Sequence, residues 1–438
     1  MYDTLIREWI ETHKQEILDK WMELVRIPSV HGQAEENAPY GVECDRAMRT
    51  AASYYGEGFT VKLNRADGYG CADLGTEGKL IALCGHSDVV PVGEGWIYTE
   101  PFEPVIKEGR LIGRGASDNK SGVMASWCVL NIIKDLNIPM NNRLRAFIGS
   151  NEESGMGDIS AYVEKEGTPT ISIVPDGHFP CSLGEKGILR MWAKSVKPLK
   201  AVESFEGGSA FNTVLDHVKV TLKNGESFEC QGVSKHAGSP KDSQNAACLA
   251  CQKLVDTEDG ELMAQLVKVL ESPFGEGLDI AQEDEDFGPL TAANGMVKVE
   301  DGCLCVSMDI RYGSVVDPKE LEQKLYQKWG ALGFEITYLH NRPGFSVDKD
   351  SPVPELMRRL YKEITGLDAK NYRMAGGTYC RYLPNAFTTG TYTPKECKLE
   401  MPAGHGGAHQ RDESIDIEGF FEAVLFLTKA VMEIDKLI

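Results

Sequence analysis

The sequence lacks both the long apolar runs of membrane proteins and the positive charge of nucleic-acid-binding proteins. Its longer apolar stretches are interrupted by charged residues, as at Glu422, Lys429 and Glu433, and none approaches the roughly 20 residues of a transmembrane helix. Lysine and arginine number 46 against 66 aspartates and glutamates, which gives a formal net charge of −20. Because an acidic surface repels nucleic acid and anionic lipid, we expect neither a nucleic acid nor a membrane as a partner.

Signals for secretion and for disulfides are also missing. Residues 1–4 show no basic segment leading into an apolar one, so no secretory signal is expected. Twelve cysteines are scattered over 438 residues without clustering, which indicates reduced thiols and predicts a cytoplasmic protein. Cys248 and Cys251 have the spacing of a redox motif, but their alanine-rich surroundings favour a helix packed into a core.

The length and composition predict a globular protein of two or three domains. Hydrophobic residues make up 42% of the chain and charged residues 26%, the usual proportions for a soluble fold with a sizeable core. Residues 186–347 carry alternating strand patterns between helical ones, which is typical of an α+β domain. We therefore expect residues 1–185 and 348–438 to form the two parts of a catalytic α/β domain, with residues 186–347 inserted between them.

Hydrophobic periodicity predicts most of the individual elements. Outside the insert the predicted strands are Thr60–Asn64, Lys79–Cys84, Arg143–Ser150 and Ile171–Pro175, and the predicted helices are Thr4–Ile27, Ser121–Leu136, Pro352–Gly366 and Ile417–Ile438. Within the insert the predicted strands are Leu189–Lys194, Lys219–Lys223, Val297–Glu300, Cys303–Arg311 and Phe334–Tyr338, and the helices are Asn245–Val255, Leu262–Leu270 and Pro318–Trp329.

Side chains that bind metals appear where successive predicted elements end. In α/β proteins ligands bind outside the carboxyl ends of the strands, so these side chains are expected to lie together. Each one could instead be a helix cap or a turn residue. Carboxylates gathered at one edge would repel each other unless cations lay between them, which favours a metal site. The residues are His86 with Asp88, Asp118, Glu152 with Glu153, and Asp176.

Three local patterns leave alternatives open. In the His86-x-Asp88 pair, one ring nitrogen of the imidazole could bind a metal while the N–H of the other ring nitrogen donates a hydrogen bond to the carboxylate. Alternatively, the pair could be an ordinary surface contact. The glycine-rich turn at residues 113–122 could hold an anion, although its spacing fits neither a P-loop nor a dinucleotide motif. His405 and His409 share a glycine-rich loop, and the spacing does not choose between them as ligands.

With these motifs in view, the chain resembles a family of dinuclear zinc metallopeptidases. That family includes the bacterial dipeptidase PepV, acetylornithine deacetylase, succinyl-diaminopimelate desuccinylase, aminoacylase-1 and glutamate carboxypeptidase. The resemblance is carried by residues 85–91 with Trp96, and by residues 113–120, 151–155 and 409–413. The loop at residues 376–381 and the long insert are most similar to the dipeptidase branch. Asp118-Asn119-Lys120-Ser121-Gly122 departs from the commoner Asp-Asp-Lys-Gly-Pro, and the insert is shorter than expected for PepV.

The resemblance implies a two-metal site in a mixed-sheet catalytic domain, with the insert acting as a substrate-capping lid. Asp118 would bridge two divalent ions, most often Zn²⁺, with Mn²⁺ or Co²⁺ as alternatives. It also implies a cis peptide between Asp118 and Asn119. The remaining metal ligands would be His86 and Asp176 for one ion, and Glu153 and His409 for the other.

The activity implied is hydrolysis of short peptides by a metal-bridging hydroxide. Glu152 stands next to a ligand without being needed as one, so it is expected to act as general base, while Asp88 orients His86. The alternative on the same site is an N-acyl-amino-acid deacylase, cleaving acetyl or succinyl groups. From another class, the alternative is a non-catalytic protein that binds metals or peptides.

The resemblance also suggests substrate-binding residues in and beside the insert. His236 would stabilise the oxyanion, and Asn212 and Arg311 would hold the polar groups and C-terminal carboxylate of a dipeptide or N-acyl amino acid. The Gly377 backbone could bind the substrate terminus. Without the resemblance, His236 is an ordinary loop histidine. For Arg311 a strand-surface salt bridge is an equal alternative to substrate binding. The protein would be a monomer, or a homodimer formed through the insert.

Overall fold

The structure is a computed structural model that describes residues 2–395 and 399–438. The chain divides into two compact units. The first unit comprises Met1–Leu183, Val347–Tyr372 and Thr378–Ile438, and the insert unit comprises Gly184–Ser346 and Arg373–Gly377. The short segment Arg373–Gly377 therefore belongs with the insert, although it lies far along the chain from it.

The helices and strands alternate along much of the chain. The helices are α1 (Tyr2–Val25), α2 (Val42–Ser53), α3 (Lys120–Asp135), α4 (Gly157–Glu166), α5 (Ala246–Lys253), α6 (Gly260–Leu270), α7 (Pro318–Ala331), α8 (Pro352–Thr365) and α9 (Ile417–Leu437). Short 3₁₀ turns occupy Glu276–Leu278 and Tyr379–Tyr382.

The strands number consecutively through both units. They are β1 (Thr60–Asn64), β2 (Tyr69–Leu74), β3 (Leu80–His86), β4 (Val105–Lys107), β5 (Arg110–Ile112), β6 (Arg143–Gly149), β7 (Ile171–Gly177), β8 (Ser182–Glu185), β9 (Gly187–Ser195), β10 (Val202–Glu206), β11 (His217–Leu222), β12 (Ser227–Gln231), β13 (Glu283–Asp284), β14 (Gly288–Pro289), β15 (Thr291–Ala293), β16 (Val297–Glu300), β17 (Cys303–Tyr312), β18 (Phe334–Arg342), β19 (Phe345–Ser346), β20 (Tyr372–Met374), β21 (Ala386–Gly390) and β22 (Ser414–Asp416).

The first unit is built on a six-stranded mixed sheet in the order β1-β2-β6-β3-β7-β21. Strands β6, β3, β7 and β21 run parallel, whereas β1 and β2 are antiparallel to their neighbours. Every residue of β3 is buried, as expected for a central strand covered on both faces. The predicted α/β fold class with a mixed sheet and an α+β insert is confirmed.

Apolar helices cover this sheet. Helix α3 is buried from Lys120 to Ile133, so it packs on all sides instead of presenting one apolar face. Its core neighbours include Trp21 of α1 and Phe420 of α9, whose rings lie 4.3 Å apart between centroids. The first residue of α3 follows Asp118 by only two positions, so this rigid packing supports the backbone on which Asp118 stands.

Two elements near the N-terminus were not predicted. Helix α2 buries Cys44, Ala47, Met48, Ala51 and Ala52 at helical spacing, but most of these side chains are small and give a weak apolar signal. Strand β2 begins at Tyr69, within a segment whose glycines predicted only a turn. Its pairing with β6 supplies the hydrogen bonds that outweigh the low strand propensity of glycine.

The insert unit is an antiparallel α+β structure. Its largest sheet has the order β15-β17-β9-β18, with β16 also paired to β17, and a second sheet has the order β10-β11-β12. Strand β9 alternates buried and half-buried residues along its length, because one face packs on the core. Helices α5, α6 and α7 contribute to that core, in which Cys248 and Cys251 of α5 are both buried.

Two further features concern the described residues as a whole. Within residues 2–395 and 399–438, every cysteine carries a free thiol. In the same part of the chain, no helix combines the length and hydropathy needed to cross a bilayer.

Candidate functional site

The parallel strands of the first unit bring the predicted ligands to one edge of the sheet. His86 is the last residue of β3, and Asp176 is the penultimate residue of β7. Glu152 and Glu153 follow the end of β6. Since β3 pairs in parallel with both β6 and β7, all these residues lie at the carboxyl edge, where α/β proteins bind ligands.

The tautomer of His86 follows from its hydrogen bond. Nδ1 lies 3.0 Å from the backbone oxygen of Asp88, which can only accept, so Nδ1 carries the hydrogen. In the neutral ring the lone pair is therefore on the buried Nε2, which receives no hydrogen bond from the described residues and faces the carboxylates of Asp118 and Asp176. Such an orphaned buried nitrogen is suited to a metal ion.

Two groups of ligand atoms lie side by side and share one residue. In the first group, His86 Nε2 is 3.2 Å from Asp118 Oδ1 and 3.7 Å from Asp176 Oδ2. In the second, His409 Nε2 is 3.1 Å from Asp118 Oδ2 and 3.0 Å from Glu153 Oε1. Within each group the ligand atoms lie within 4.8 Å of one another, close enough to surround a single cation. Asp118 uses one oxygen for each group.

The electrostatics of the site show an excess of negative charge. Burial raises the pKa of Asp176 and of Glu153 above the usual range, and the Asp118 charge raises each further. Contacts with Asp118 and Glu153 raise the pKa of His409 to about 11. Carboxylates that resist ionising beside an imidazole that retains its proton are the mark of a site that needs positive charge. The residues present therefore fit two divalent cations.

Glu152 is placed beside the ligands without belonging to either group. Burial raises its pKa well above the ordinary value, and although His86 lowers it, Asp176 and Glu153 raise it again. Its Oε2 is 4.0 Å from His86 Nε2, and its buried Oε1 has no hydrogen-bond partner among the described residues. A buried carboxyl with a free oxygen next to the ligands is suited to exchanging a proton.

Asp88, expected to orient His86, also contacts the backbone of the two glutamates. Its carboxylate Oδ1 lies 3.4 Å from His86 Nδ1, farther than its own backbone oxygen. The two carboxylate oxygens instead accept the backbone N–H groups of Glu152 and Glu153, each at 3.1 Å. Asp88 thus contacts both the imidazole and the loop that carries the candidate base.

The structure distinguishes the two histidines of the glycine-rich loop. His409 reaches the second ligand group, and its backbone has the left-handed φ of 63° that is uncommon outside glycine. His405 instead contacts Asp412 through Nδ1. Asp412 also accepts the backbone N–H groups of Ile97 and Tyr98. His405 is therefore part of a network that joins two loops.

Asn119 has a role that the sequence did not indicate. The Asp118–Asn119 peptide is cis, as the resemblance implies. The Asn119 side-chain amide donates to Pro175 O at 2.6 Å and to Asp176 Oδ1 at 2.9 Å, while its oxygen accepts the backbone N–H of His86 at 3.3 Å. This buried side chain links the ends of β3 and β7.

Asp158 is another residue that sequence reasoning missed. Its carboxylate accepts the backbone N–H groups of Ser150 and Asn151 at 2.7 and 2.9 Å and the Tyr379 hydroxyl at 2.5 Å. The Tyr379 ring also packs edge-on against His86 with centroids 6.2 Å apart. From the sequence, an aspartate near the start of a helix is expected to cap that helix. No local pattern therefore predicted that Asp158 would contact residues 150 and 151 and the distant Tyr379.

The predicted substrate residues all belong to the insert unit. The Ala237 N–H, next to His236, donates to Asn212 O at 2.9 Å. Arg311 is buried and its guanidinium pairs with Asp309, with Nη2 to Oδ2 at 3.1 Å. Its Nη1 donates to Ala375 O at 3.1 Å, two residues before Gly377. The ion pair of Arg311 is therefore internal to the insert, not on its surface.

Comparisons with known proteins agree with this geometry. The pattern of peptidase family M20/M25/M40 matches residues 82–433. YtjP of Bacillus subtilis (strain 168), whose name suggests a dipeptidase, is 29% identical over 468 residues, with 97% of this chain and 98% of YtjP covered.

Two solved structures share the fold. Human carnosine dipeptidase 1 superposes with a TM-score of 0.68 at 14% identity, covering 100% of this chain and 99% of its own. The di-peptidase Dug1p of Saccharomyces cerevisiae gives a TM-score of 0.67 at 14% identity, covering 99% and 98%. With the family pattern spanning most of its length, the chain belongs to peptidase family M20/M25/M40.

Proposed function

We propose that this protein is a metal-dependent dipeptidase. The observation that carries the proposal is Glu152, a buried carboxyl with an unpartnered oxygen beside two ligand groups that share Asp118. A protein that only binds metals has no use for such a residue. Membership of a peptidase family and relatives named for dipeptidase activity support the same reaction.

Two divalent cations are proposed as the cofactors, held by the two ligand groups. His86 and Asp176 would hold one, Glu153 and His409 the other, and Asp118 would contribute to both. Zn²⁺ is the metal proposed, because mixed imidazole and carboxylate ligands suit it, with Mn²⁺ or Co²⁺ as alternatives. When bound, such ions lower the pKa of water and polarise a carbonyl group.

Glu152 moves the proton in the proposed reaction. Its Oε1 accepts a proton from the attacking water and then delivers it to the leaving amine nitrogen. The environment supports this role, since burial raises the pKa of Glu152 and so makes its carboxylate a stronger proton acceptor. The Asp88 carboxylate accepts the backbone N–H of Glu152 and so helps to keep the Glu152 carboxyl in place.

Substrate recognition is assigned to the insert. His236 is proposed to stabilise the oxyanion, and Asn212 and the Gly377 backbone to bind the polar ends of the substrate. The neighbouring positions of Asn212 and Ala237 support this grouping. Arg311 is proposed to contribute in part by holding the Ala375 carbonyl, since Asp309 already occupies much of its guanidinium fork. The role of the insert as a lid remains a prediction.

The cellular setting is proposed on chemical grounds. The free, mostly buried thiols suit a reducing compartment, so we propose a cytoplasmic location. The proposed partner is a dipeptide substrate, and the choice between monomer and a homodimer formed through the insert stays a prediction.

Substitution of Glu152 by glutamine tests the proposed base. The amide keeps the size of the side chain but cannot accept the proton, so kcat should fall by about 10²- to 10⁴-fold. Metal content, measured by atomic emission, should stay at two ions per chain. The exposed Glu57→Gln substitution is the matched control. Unchanged turnover of the Glu152 variant would refute its role.

A substrate panel separates the dipeptidase from the deacylase. The metal-loaded protein is incubated with dipeptides, including β-alanyl dipeptides, and with N-acetyl and N-succinyl amino acids. Release of free amino acids is followed by chromatography. We expect turnover of the dipeptides. Cleavage of the acyl compounds alone would identify a deacylase instead.

A further inference from the structure

A buried ion pair joins the loops that carry the proposed metal ligands. Arg114 Nη1 lies 2.7 Å from Glu413 Oε2, and each side chain is only 1% exposed. Removing two charges from water costs several kcal/mol per ion, which is offset only where the geometry and the remaining hydrogen bonds are good. The other contacts of Glu413 and Arg114 show which loops the ion pair connects.

Glu413 fixes the backbone that leads to Asp118. Its other oxygen, Oε1, accepts the backbone N–H groups of Ser117 and Asp118, both at 2.9 Å. The backbone of Glu413 also accepts the Gly113 N–H at 2.9 Å. Glu413 thus helps to hold the backbone at Asp118, together with the packing of α3 that follows it.

The second terminal nitrogen of Arg114 contacts one further loop and, at a second point, the loop that carries Glu413. Nη2 faces the backbone oxygens of Pro91 and Val92 at 3.4 and 3.3 Å, just beyond the His86 segment, and that of His409 at 3.4 Å. The guanidinium also lies over the Trp96 ring, 5.4 Å from its centroid. Only a planar fork with several donors can serve Glu413 and these carbonyls together.

The two ligand groups depend on this pair to different degrees. His86 pairs with Gly149 of β6, and Asp176 of β7 lies between Pro175 and Gly177, which both pair with β21. Strand pairing therefore already holds the backbone at both residues. His409 stands in a loop, and its side chain is 55% exposed. The hydrogen bond from Arg114 to the His409 carbonyl therefore matters more for the position of His409 than the ion pair does for His86 or Asp176.

We propose that Arg114 and Glu413 are positioning residues for the second ligand group. They set His409 against Asp118, and so determine how tightly the cation between Asp118, Glu153 and His409 is bound. This inference rests on the proposed two-metal function, and it adds that the affinities of the two ions are controlled separately.

Substitution of Arg114 by lysine is the test. Lysine keeps the positive charge opposite Glu413 but loses the fork that reaches the loop carbonyls. Zn²⁺ binding to the metal-free protein is measured by competition with a chromophoric chelator. We expect one ion to bind within about twofold of the wild type and the second at least about tenfold more weakly, as for other residues that orient metal ligands.

Arg145→Lys is the matched control. Arg145 is also largely buried in the first unit, and it pairs with Asp73 through Nε and Nη2, both at 2.6 Å. Its substitution should lower stability in urea but leave both Zn²⁺ affinities unchanged. Equal weakening by this control would overturn the proposal, because it would show a general effect of lost buried ion pairs.

Glu413→Gln provides a second variant, should Arg114→Lys fail to fold. The amide oxygen can still accept from Ser117 and Asp118, but the charge that holds Arg114 is lost, so the same selective weakening is expected. Wild-type affinity for both ions in a folded variant would overturn the proposal. Unfolding of both variants would also overturn it, because the pair would then serve the fold. Failure of the wild type to bind two ions would instead refute the proposed function.

Discussion

Asp88 accepts the backbone N–H of Glu152 through its carboxylate Oδ1 at 3.1 Å. Its Oδ2 accepts the next N–H, that of Glu153, at the same distance. A residue expected to orient only His86 thus holds the proposed base and one proposed ligand as well. The consequence is that changes at Asp88 should affect proton transfer as well as metal binding.

Asp88→Asn should lower kcat/KM without unfolding the protein. The new amide nitrogen would face a backbone N–H in place of an acceptor, so the glutamate loop must shift. The expected loss is about 10- to 100-fold, as for other residues that orient metal ligands. Steady-state kinetics on the metal-loaded variant measure it. Asp301→Asn, on an exposed turn, is the control, and equal kinetics for both variants would contradict the expectation.

Asn119→Asp should destabilise the metal-free protein. The Asn119 amide donates hydrogen bonds to Pro175 O at 2.6 Å and to Asp176 Oδ1 at 2.9 Å, and a carboxylate cannot donate them. Leaving buried acceptors unpaired costs about 1–3 kcal/mol. Urea unfolding in the presence of a chelator measures the loss, with the exposed Asn137→Asp as control. A loss no greater than that of the control would show that the amide hydrogens are not needed.

The two loop histidines should behave differently when removed. His409→Ala should leave about one ion per chain, because the second ligand group loses its imidazole. His405→Ala should retain both ions but lower the free energy of unfolding by about 1–3 kcal/mol, since buried Asp412 loses a partner. Atomic emission and urea unfolding provide the two measurements. Loss of an ion from the His405 variant would reverse the assignment.

Asp158 should make stability depend on pH. Burial, with a smaller effect of the Asp88 charge, raises the pKa of Asp158 from its ordinary 3.8 to about 6. Because the folded-state pKa is the higher one, its stabilising contribution is complete below about pH 3.8 and is lost as the pH rises through about 6. The change amounts to about 3 kcal/mol.

Comparison with Asp158→Asn isolates this effect. The amide does not titrate, so the deficit of the variant relative to the wild type should be largest near pH 4 and shrink towards pH 7. Urea unfolding of the chelator-treated proteins at several pH values measures it. Tyr379→Phe removes a donor that lowers the Asp158 pKa, so it should move the transition to higher pH. A deficit that does not vary with pH would contradict the assignment.

Much of the fold could be predicted because its signals are local. Strand β1 matches its predicted bounds, and α7 begins at the predicted Pro318 with Asp317 as its N-cap. The ends of β3, β6 and β7 were predicted well enough to identify the polar residues that follow them. Helix α2 and strand β2 were missed, because small residues and glycine give weak periodicity even where tertiary contacts make an element stable.

The candidate site was predictable as a set of residue types but not as a set of contacts. Hydrophobic strands that end near His86 and Asp176 indicate a ligand-binding site at the carboxyl edge of the sheet. This could be predicted because strand length and side-chain chemistry depend on neighbouring residues. The choice of His409 over His405 depends on loop geometry. Arg311 and Asp309 lie two residues apart on β17, and only the packing on both faces of that strand buries their ion pair.

The amino-acid sequence by itself determined many of the strands and helices around the site and the candidate metal-binding side chains that follow them. It did so because periodicity and residue chemistry act over a few neighbouring positions. Only the tertiary structure decided that Asp88 holds the glutamate backbone, that Asn119 joins β3 to β7, and that Arg114 meets Glu413. These contacts link residues up to about three hundred positions apart, and their geometry follows from strand order and packing, which no local pattern encodes.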